Sequence, residues 1–233
     1  MDLKQAVVLV TGGTSGIGLE TARLLRSHGA QVAICGRNEE RLAHAAESLG
    51  VLPINADVGV EADVERMVQT VIKEFGDYNV LINNAGYGYF APLVEQNADE
   101  FNRLFQTNVT GAMLAARESA RHFISRRYGH IINIASTAGS KGFAGGTAYA
   151  ASKFALTGLT ECWRAELRQH NIRVMQINPS EVLTSFFQTS GLDQKPSERK
   201  LRPQEIAHAI AGALQLDDRG FVTDLTVWAT NPD

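Results

Sequence analysis

Ala6-Val7-Val8-Leu9-Val10-Thr11-Gly12-Gly13-Thr14-Ser15-Gly16-Ile17-Gly18 decides the fold of this chain. A short run that is apolar on both faces reads as a strand covered on both sides. A glycine-rich turn follows it, and an amphipathic helical pattern over 16–28 follows the turn. Glycines in such a turn let the backbone fold tightly and approach a pyrophosphate at the helix N-terminus. The spacing TGxxxGxG differs from the common GxGxxG fingerprint, and a glycine turn can serve packing alone. The strand-turn-helix context favours dinucleotide binding over that plainer reading.

The same alternation continues outward. Further apolar runs at 31–35, 52–55, 80–83, 130–135, 173–178 and 223–228 predict strands, and helical patterns lie near 38–49, 60–75, 97–126, 147–170 and 203–216. Pro203 with Gln204 and Glu205 opens the last helix. Repeated strand-helix alternation predicts right-handed βαβ units, hence an α/β fold with a doubly wound parallel sheet of seven strands. No linker or repeat divides the 233 residues, so a single domain over 1–233 is expected. The irregular stretch at about 180–202 is too long for an ordinary connection and is a lid candidate.

Composition excludes several classes. A net charge of −3 provides no basic field for nucleic acid. Cys35 and Cys162 are too few for a disulfide framework or a cysteine metal site. The histidines (His28, His44, His122, His130, His170, His208) show no ligand spacing, and surface positions are expected to explain them. The apolar start is shorter than the roughly 7–15 residues of a signal-peptide core, and no stretch reaches the roughly 20 a membrane helix needs. A cytoplasmic protein with no metal, nucleic-acid or membrane partner is expected.

Tyr149 and Lys153 stand one helical turn apart, on one face of the 147–170 helix. A free phenol titrates near pH 10, about three units above neutral. An adjacent ammonium favours the phenolate, which would bring the hydroxyl toward the range useful for acid/base work. Alone, YxxxK is more often an ordinary surface pair.

TGxxxGxG, then Asn83-Asn84-Ala85-Gly86 after the fourth strand, Asn108, Ser136 and Tyr149-xxx-Lys153 together resemble the short-chain dehydrogenase/reductase family, including its 3-oxoacyl-carrier-protein reductases. The resemblance covers about 5–228 and implies a single Rossmann-type domain carrying out NAD(H) or NADP(H) chemistry on carbonyls and alcohols. It makes Tyr149 the general acid in reduction and has Ser136 bond the substrate carbonyl oxygen. Lys153 would bind the nicotinamide ribose and lower the Tyr149 pKa, and Asn108 would hold a water linking Lys153 to solvent. The implied cofactor contacts are Gly12, Thr14, Ser15, Gly16, Ile17 and Gly18 in the turn, and Asp57 and Val58 at the adenine. Asn84, Ala85 and Gly86 would line the groove, joined by Tyr149, Lys153 and, after the sixth strand, Pro179, Val182 and Thr184. Most relatives read Pro-Gly where this chain has Pro179-Ser180; the adjoining Glu181 reads as a solvated loop acid.

Cofactor choice follows from charge. NAD-preferring folds place a carboxylate after the second strand to bond the ribose 2′-hydroxyl. Here the strand ends Ile34-Cys35-Gly36-Arg37, and a planar guanidinium suits a 2′-phosphate, so NADP is expected over NAD. Ser15 stands where many NADP-preferring relatives carry a second basic residue, and Glu39 and Glu40 begin the next helix.

The expected activity is reduction of a hydrophobic ketone or aldehyde, with Phe186, Phe187 and Leu192 as apolar substrate contacts. The alternatives are a 3-oxoacyl-carrier-protein reductase, which would dock its acidic partner through Arg126, Arg127, Lys195, Arg199, Lys200 and Arg202, and a non-catalytic dinucleotide sensor or scaffold. Ala112, Ala115, Ala116, Ala120, Ala148, Ala151 and Ala155 are expected on outer helix faces that pair two-fold into a homodimer or homotetramer.

Overall fold

The computed structural model describes residues 1–184, 186 and 198–231, and its seven parallel strands form one sheet in the order β3-β2-β1-β4-β5-β6-β7. The strands are β1 Val7–Thr11, β2 Gln31–Gly36, β3 Leu52–Asn55, β4 Val80–Asn83, β5 Gly129–Ile134, β6 Ile172–Pro179 and β7 Asp224–Val227. The helices are α1 Gly16–Ser27, α2 Glu39–Leu49, α3 Glu61–Phe75, α4 Ala98–Phe105, α5 Ala112–Arg126, α6 Thr147–Leu167 and α7 Pro203–Leu214. This is the single doubly wound domain that the alternation predicts.

Both faces of the sheet are dry because side chains alternate along each strand. Val8 and Val10 join Leu25 of α1 and Ile206 and Ile210 of α7 on one face. Leu9 joins Met67 of α3 and Leu114 of α5 on the other. Each such side chain contributes about 1.5–3 kcal/mol by leaving water. The strand order reverses between β1 and β4, which opens a crevice at the carboxyl ends of the strands.

Three expectations change. The helix over 97–126 contains a π-helical stretch, Gln106–Gly111, between α4 and α5. His130 is not on the surface: on β5 it is 2% exposed and lies 5.4 Å from the Tyr128 ring, and burial pushes its imidazole down to about 3. The reason is topological, since β5 lies inside the sheet between β4 and β6. Four of the seven alanines also turn inward: Ala112, Ala115, Ala116 and Ala148 are buried, since small side chains allow helices to lie close to the sheet, while Ala120, Ala151 and Ala155 are half-buried. The large apolar side chain that α6 leaves exposed is Phe154, at 47%.

Candidate active site

The turn between β1 and α1 is held by its neighbours. Gly12 has φ +64, and a Cβ there would come within 2.9 Å of the Ala85 Cα, so the position needs glycine twice over. Asn84 Nδ2 donates to the carbonyls of Thr11 and Gly12, both at 3.0 Å, and Thr11 Oγ1 accepts from the backbone N–H groups of Asn84 and Ala85. Ser15, the N-cap of α1, makes no side-chain capping bond. The first N–H groups of α1 therefore lack a side-chain partner at the mouth of the crevice, which suits an anion.

The crevice is a cleft of about 1540 Å³. Every residue the sequence nominated for cofactor or chemistry lines it, with two exceptions, Gly18 and Asn108. Gly18 serves packing: a Cβ there would lie 2.5 Å from the Gly12 carbonyl oxygen and 2.4 Å from Asn84 Nδ2. Asn108 sits behind the cleft wall, 2% exposed, within the π-helical stretch. Its Nδ2 donates to the Tyr87 carbonyl at 3.0 Å and to Ser152 Oγ at 3.2 Å, and its Oδ1 accepts from the Tyr87 N–H at 3.1 Å. Both amide hydrogens are thus spent, and the second Oδ1 lone pair is the spare capacity of this side chain. Asn108 thereby ties the loop after β4 to α6 beside Lys153.

Ser136, at the end of β5, accepts from the Ala138 N–H at 3.1 Å and lies near enough to Tyr149 to favour its phenolate. Lys153 Nζ donates to the Ile134 carbonyl at 2.8 Å and lies 5.7 Å from the centre of the Tyr149 ring. Here the charge logic of the sequence is corrected. Burial pushes the Tyr149 phenol up to about 12, against the opposing pull of Ser136, and pushes Lys153 down to about 8. Desolvation penalises both charged forms and outweighs any help the ammonium gives the phenolate.

At the far end, Arg37 lies 3.6 Å from Asp57, and Asp57 Oδ1 accepts from the Gly59 N–H at 2.9 Å. Asn38 caps α2 through the Arg41 N–H at 2.8 Å. Asn38 and Arg41 also line the cleft, and Glu39 and Glu40 do not. Arg41 went unnoticed in the sequence, because Arg37 precedes the helix and Arg41 lies within it, so no periodic spacing links them.

At the near end, Glu181 is not simply solvated: its carboxylate meets Lys200 Nζ at 2.6 Å, and Val182 pairs with Leu201 alongside. Phe186 packs 5.4 Å from the Tyr149 ring. Phe90, Phe143 and Trp228 line the cleft too. Lone aromatics in loops carry no periodic signal, so sequence reasoning missed them. Phe187, Leu192 and Lys195 lie outside the described residues.

The profile of the short chain dehydrogenase family matches residues 6–195, and the chain belongs to that family. An uncharacterized oxidoreductase of Bacillus subtilis (strain 168), YxnA, is 34% identical over 226 residues, 91% of this chain; the chain spans 64% of that relative's length. A 3-ketoacyl-(acyl-carrier-protein) reductase from Brucella melitensis, solved with NADH, superposes with TM-score 0.92 at 28% identity, covering 98% of both chains. An alcohol dehydrogenase from the archaeon Thermococcus sibiricus, solved with 5-hydroxy-NADP, gives 0.89 at 27% identity, covering 98% of this chain and 99% of that one. The protein is therefore a short-chain oxidoreductase whose structural neighbours bind NAD(P) cofactors. Among the described residues no helix is long and apolar enough to cross a membrane.

Proposed function

We propose that this protein is an NADP-dependent reductase of hydrophobic ketones or aldehydes, with Tyr149 as general acid. The observation that carries this is the meeting of Ser136, Tyr149 and Lys153 in the one cleft that the glycine turn also lines. The turn fits a pyrophosphate: Gly12 leaves room that a Cβ would fill, and the start of α1 offers free N–H groups. When bound, the reduced nicotinamide supplies a hydride, one hydrogen and two electrons, to the carbonyl carbon. Tyr149 delivers the proton to the carbonyl oxygen, so the C=O becomes CH–OH and solvent reprotonates the phenolate. A phenol pushed up to about 12 keeps its proton at neutral pH until negative charge develops beside it. Ser136 accepts from Ala138, which leaves its own hydrogen to donate to the carbonyl oxygen. Lys153 spends one N–H on Ile134, leaving two for ribose hydroxyls.

The preference for NADP rests on Arg37 and Arg41 in the cleft and on the exclusion of Glu39 and Glu40 from it. Asp57 beside Arg37 then fixes the guanidinium for a phosphate. A free small carbonyl is preferred over a carrier-linked one because two of the nominated docking cations are already paired, Arg126 with Asp77 and Lys200 with Glu181. The outward Phe154, with half-buried Ala151 and Ala155 beside it, supports a two-fold dimer through α6. Light scattering at micromolar concentration should return a dimer or tetramer, and a monomer would remove that assignment.

Tyr149→Phe tests the chemistry. Carbonyl reduction should fall by about 100- to 10,000-fold, with NADPH affinity within about twofold of wild type. Near-normal turnover in the variant would sink the general-acid assignment.

A further inference from the structure

Phe90 and Phe186 flank the Tyr149 ring, and Phe143 lies against Phe90, in the cleft that Ser136 also lines. Phe90 and Phe186 each lie 5.4 Å from the Tyr149 ring, tilted 55° and 62° to it. Phe90 lies 6.4 Å from Phe186 at 72°, and 6.0 Å from Phe143 at 39°. These separations fall within the range of favourable edge-to-face and offset ring pairs.

The rings are held in place by glycine. A Cβ on Gly88 would come within 2.6 Å of the Phe90 ring and 2.8 Å of the Phe186 ring, and one on Gly146 within 2.6 Å of the Phe143 ring. Two backbone positions have thus given up side chains to the space the rings occupy. The exposed faces point the same way. Phe143 is 50% exposed and Trp228 is 67% exposed, and both line the cleft. Large aromatic surface left wet at the mouth of a deep cleft marks a ligand-binding face, since a bound apolar group removes it from water.

Resting on the reductase reading above, we infer that the substrate is an aryl carbonyl, a ketone or aldehyde whose aromatic ring packs onto the cleft-facing surface of the Phe90, Phe143 and Phe186 cluster while its oxygen reaches Ser136 and Tyr149. Flexible alkyl chains are served by adaptable side chains such as Met, and no Met is among the described residues lining this cleft. Planar rings at fixed tilts recognise another planar ring by its electron-rich face and electron-poor edge. The reaction is unchanged: the carbon gains the hydride, the oxygen gains the Tyr149 proton, and an aryl alcohol leaves.

The test compares an aromatic ring with its saturated copy. Calorimetric binding of 1-phenylethanol and 1-cyclohexylethanol to the NADP⁺-loaded protein is measured beside the kcat/KM for acetophenone and cyclohexyl methyl ketone with NADPH. Wild type should bind the aryl alcohol about fivefold or more tightly than its saturated copy, as ring-pair energies imply. Phe90→Leu and Phe143→Leu should each shrink that ratio, and shift the kcat/KM ratio in the same sense. Equal binding of the two alcohols in wild type overturns the inference even if a variant fails to fold. So does a ratio that survives both substitutions. Turnover of many carbonyls without ring preference removes the aryl assignment and leaves the reductase reading intact. Ring-selective binding with no turnover of any carbonyl removes the reductase reading and keeps the aromatic cluster.

Discussion

The half of the cleft along β1, β2 and β4 is fixed by backbone hydrogen bonds that Asn84 Nδ2 donates and Thr11 Oγ1 accepts, whereas the half around Tyr149 is walled by rings lying on glycines. Backbone hydrogen bonds are strict in length and angle, so the first half tolerates little change. Ring contacts lie between side chains and not backbone groups, so the second half is adjustable by substitution without moving the chain. The difference teaches where a shared reaction and a private specificity reside in one cleft. Phosphate recognition needs a fixed backbone, and substrate choice needs only side chains mounted on it.

The largest expected effect sets a glycine from each half against the other. Gly12→Val forces a β-branched residue to φ +64 and drives its Cβ toward the Ala85 backbone at 2.9 Å. NADPH affinity should drop by about 100-fold or more, because the turn must move and carry its N–H groups with it. Gly88→Ala pushes only against ring edges, which rotate away. Cofactor affinity should stay within about twofold there, while the ratio of aryl to saturated substrates changes. Fluorescence titration of NADPH into both variants decides it, and equal losses would erase the distinction between the halves.

Lys153 lies at the seam, and its prediction concerns stability. Burial lowers it from 10.5 to about 8, so the folded protein holds this proton more weakly than the unfolded chain does. A depressed folded pKa means that stability rises with pH between about 8 and 10.5 and is lost as pH falls back through 8. The cost of carrying the charge below pH 8 is at most about 3 kcal/mol. Lys153→Met removes that cost but leaves the Ile134 carbonyl without its donor. A net gain of about 1–2 kcal/mol at pH 7 is expected, narrowing toward pH 10, together with loss of turnover. Urea denaturation at the two pH values measures it. A variant less stable than wild type at pH 7 would mean that the ammonium stabilises the fold as well as the chemistry.

The smallest effect sharpens the far end of the first half. Arg37→Ser should weaken NADPH by about fivefold and leave NADH nearly unchanged, since an exposed guanidinium contributes modestly. Arg41→Ser should add to that loss. Isothermal titration of both cofactors reads the split, and equal losses for NADH and NADPH would assign Arg37 to structure through Asp57.

Much of the fold was legible because the signals are local. The strand runs, the glycine turn, and the spacing from Tyr149 to Lys153 all act within a few residues or along one helix. Other features were not, because they depend on what lies across the sheet or the cleft. The alanines of α5 and α6 look the same in sequence whether they face inward or outward. His130 reads as a polar strand residue until β4 and β6 flank it. The Glu181–Lys200 pair joins residues nineteen positions apart, with no pattern to announce it.

By itself the sequence determined the alternation of buried strands and amphipathic helices, the place of the tight glycine turn, and the residues able to donate or hold a proton. Each is a property of a residue type at a short spacing, where sterics, hydropathy and hydrogen-bonding capacity act directly. Only the tertiary structure decided that the Tyr149 phenol is pushed up and the Lys153 ammonium down, because desolvation is set by everything packed around a group. It alone brought Phe90 and Phe186 against the Tyr149 ring and Phe143 against Phe90, from three separate segments. Ring contacts form through space between distant segments, and no period in the chain encodes them.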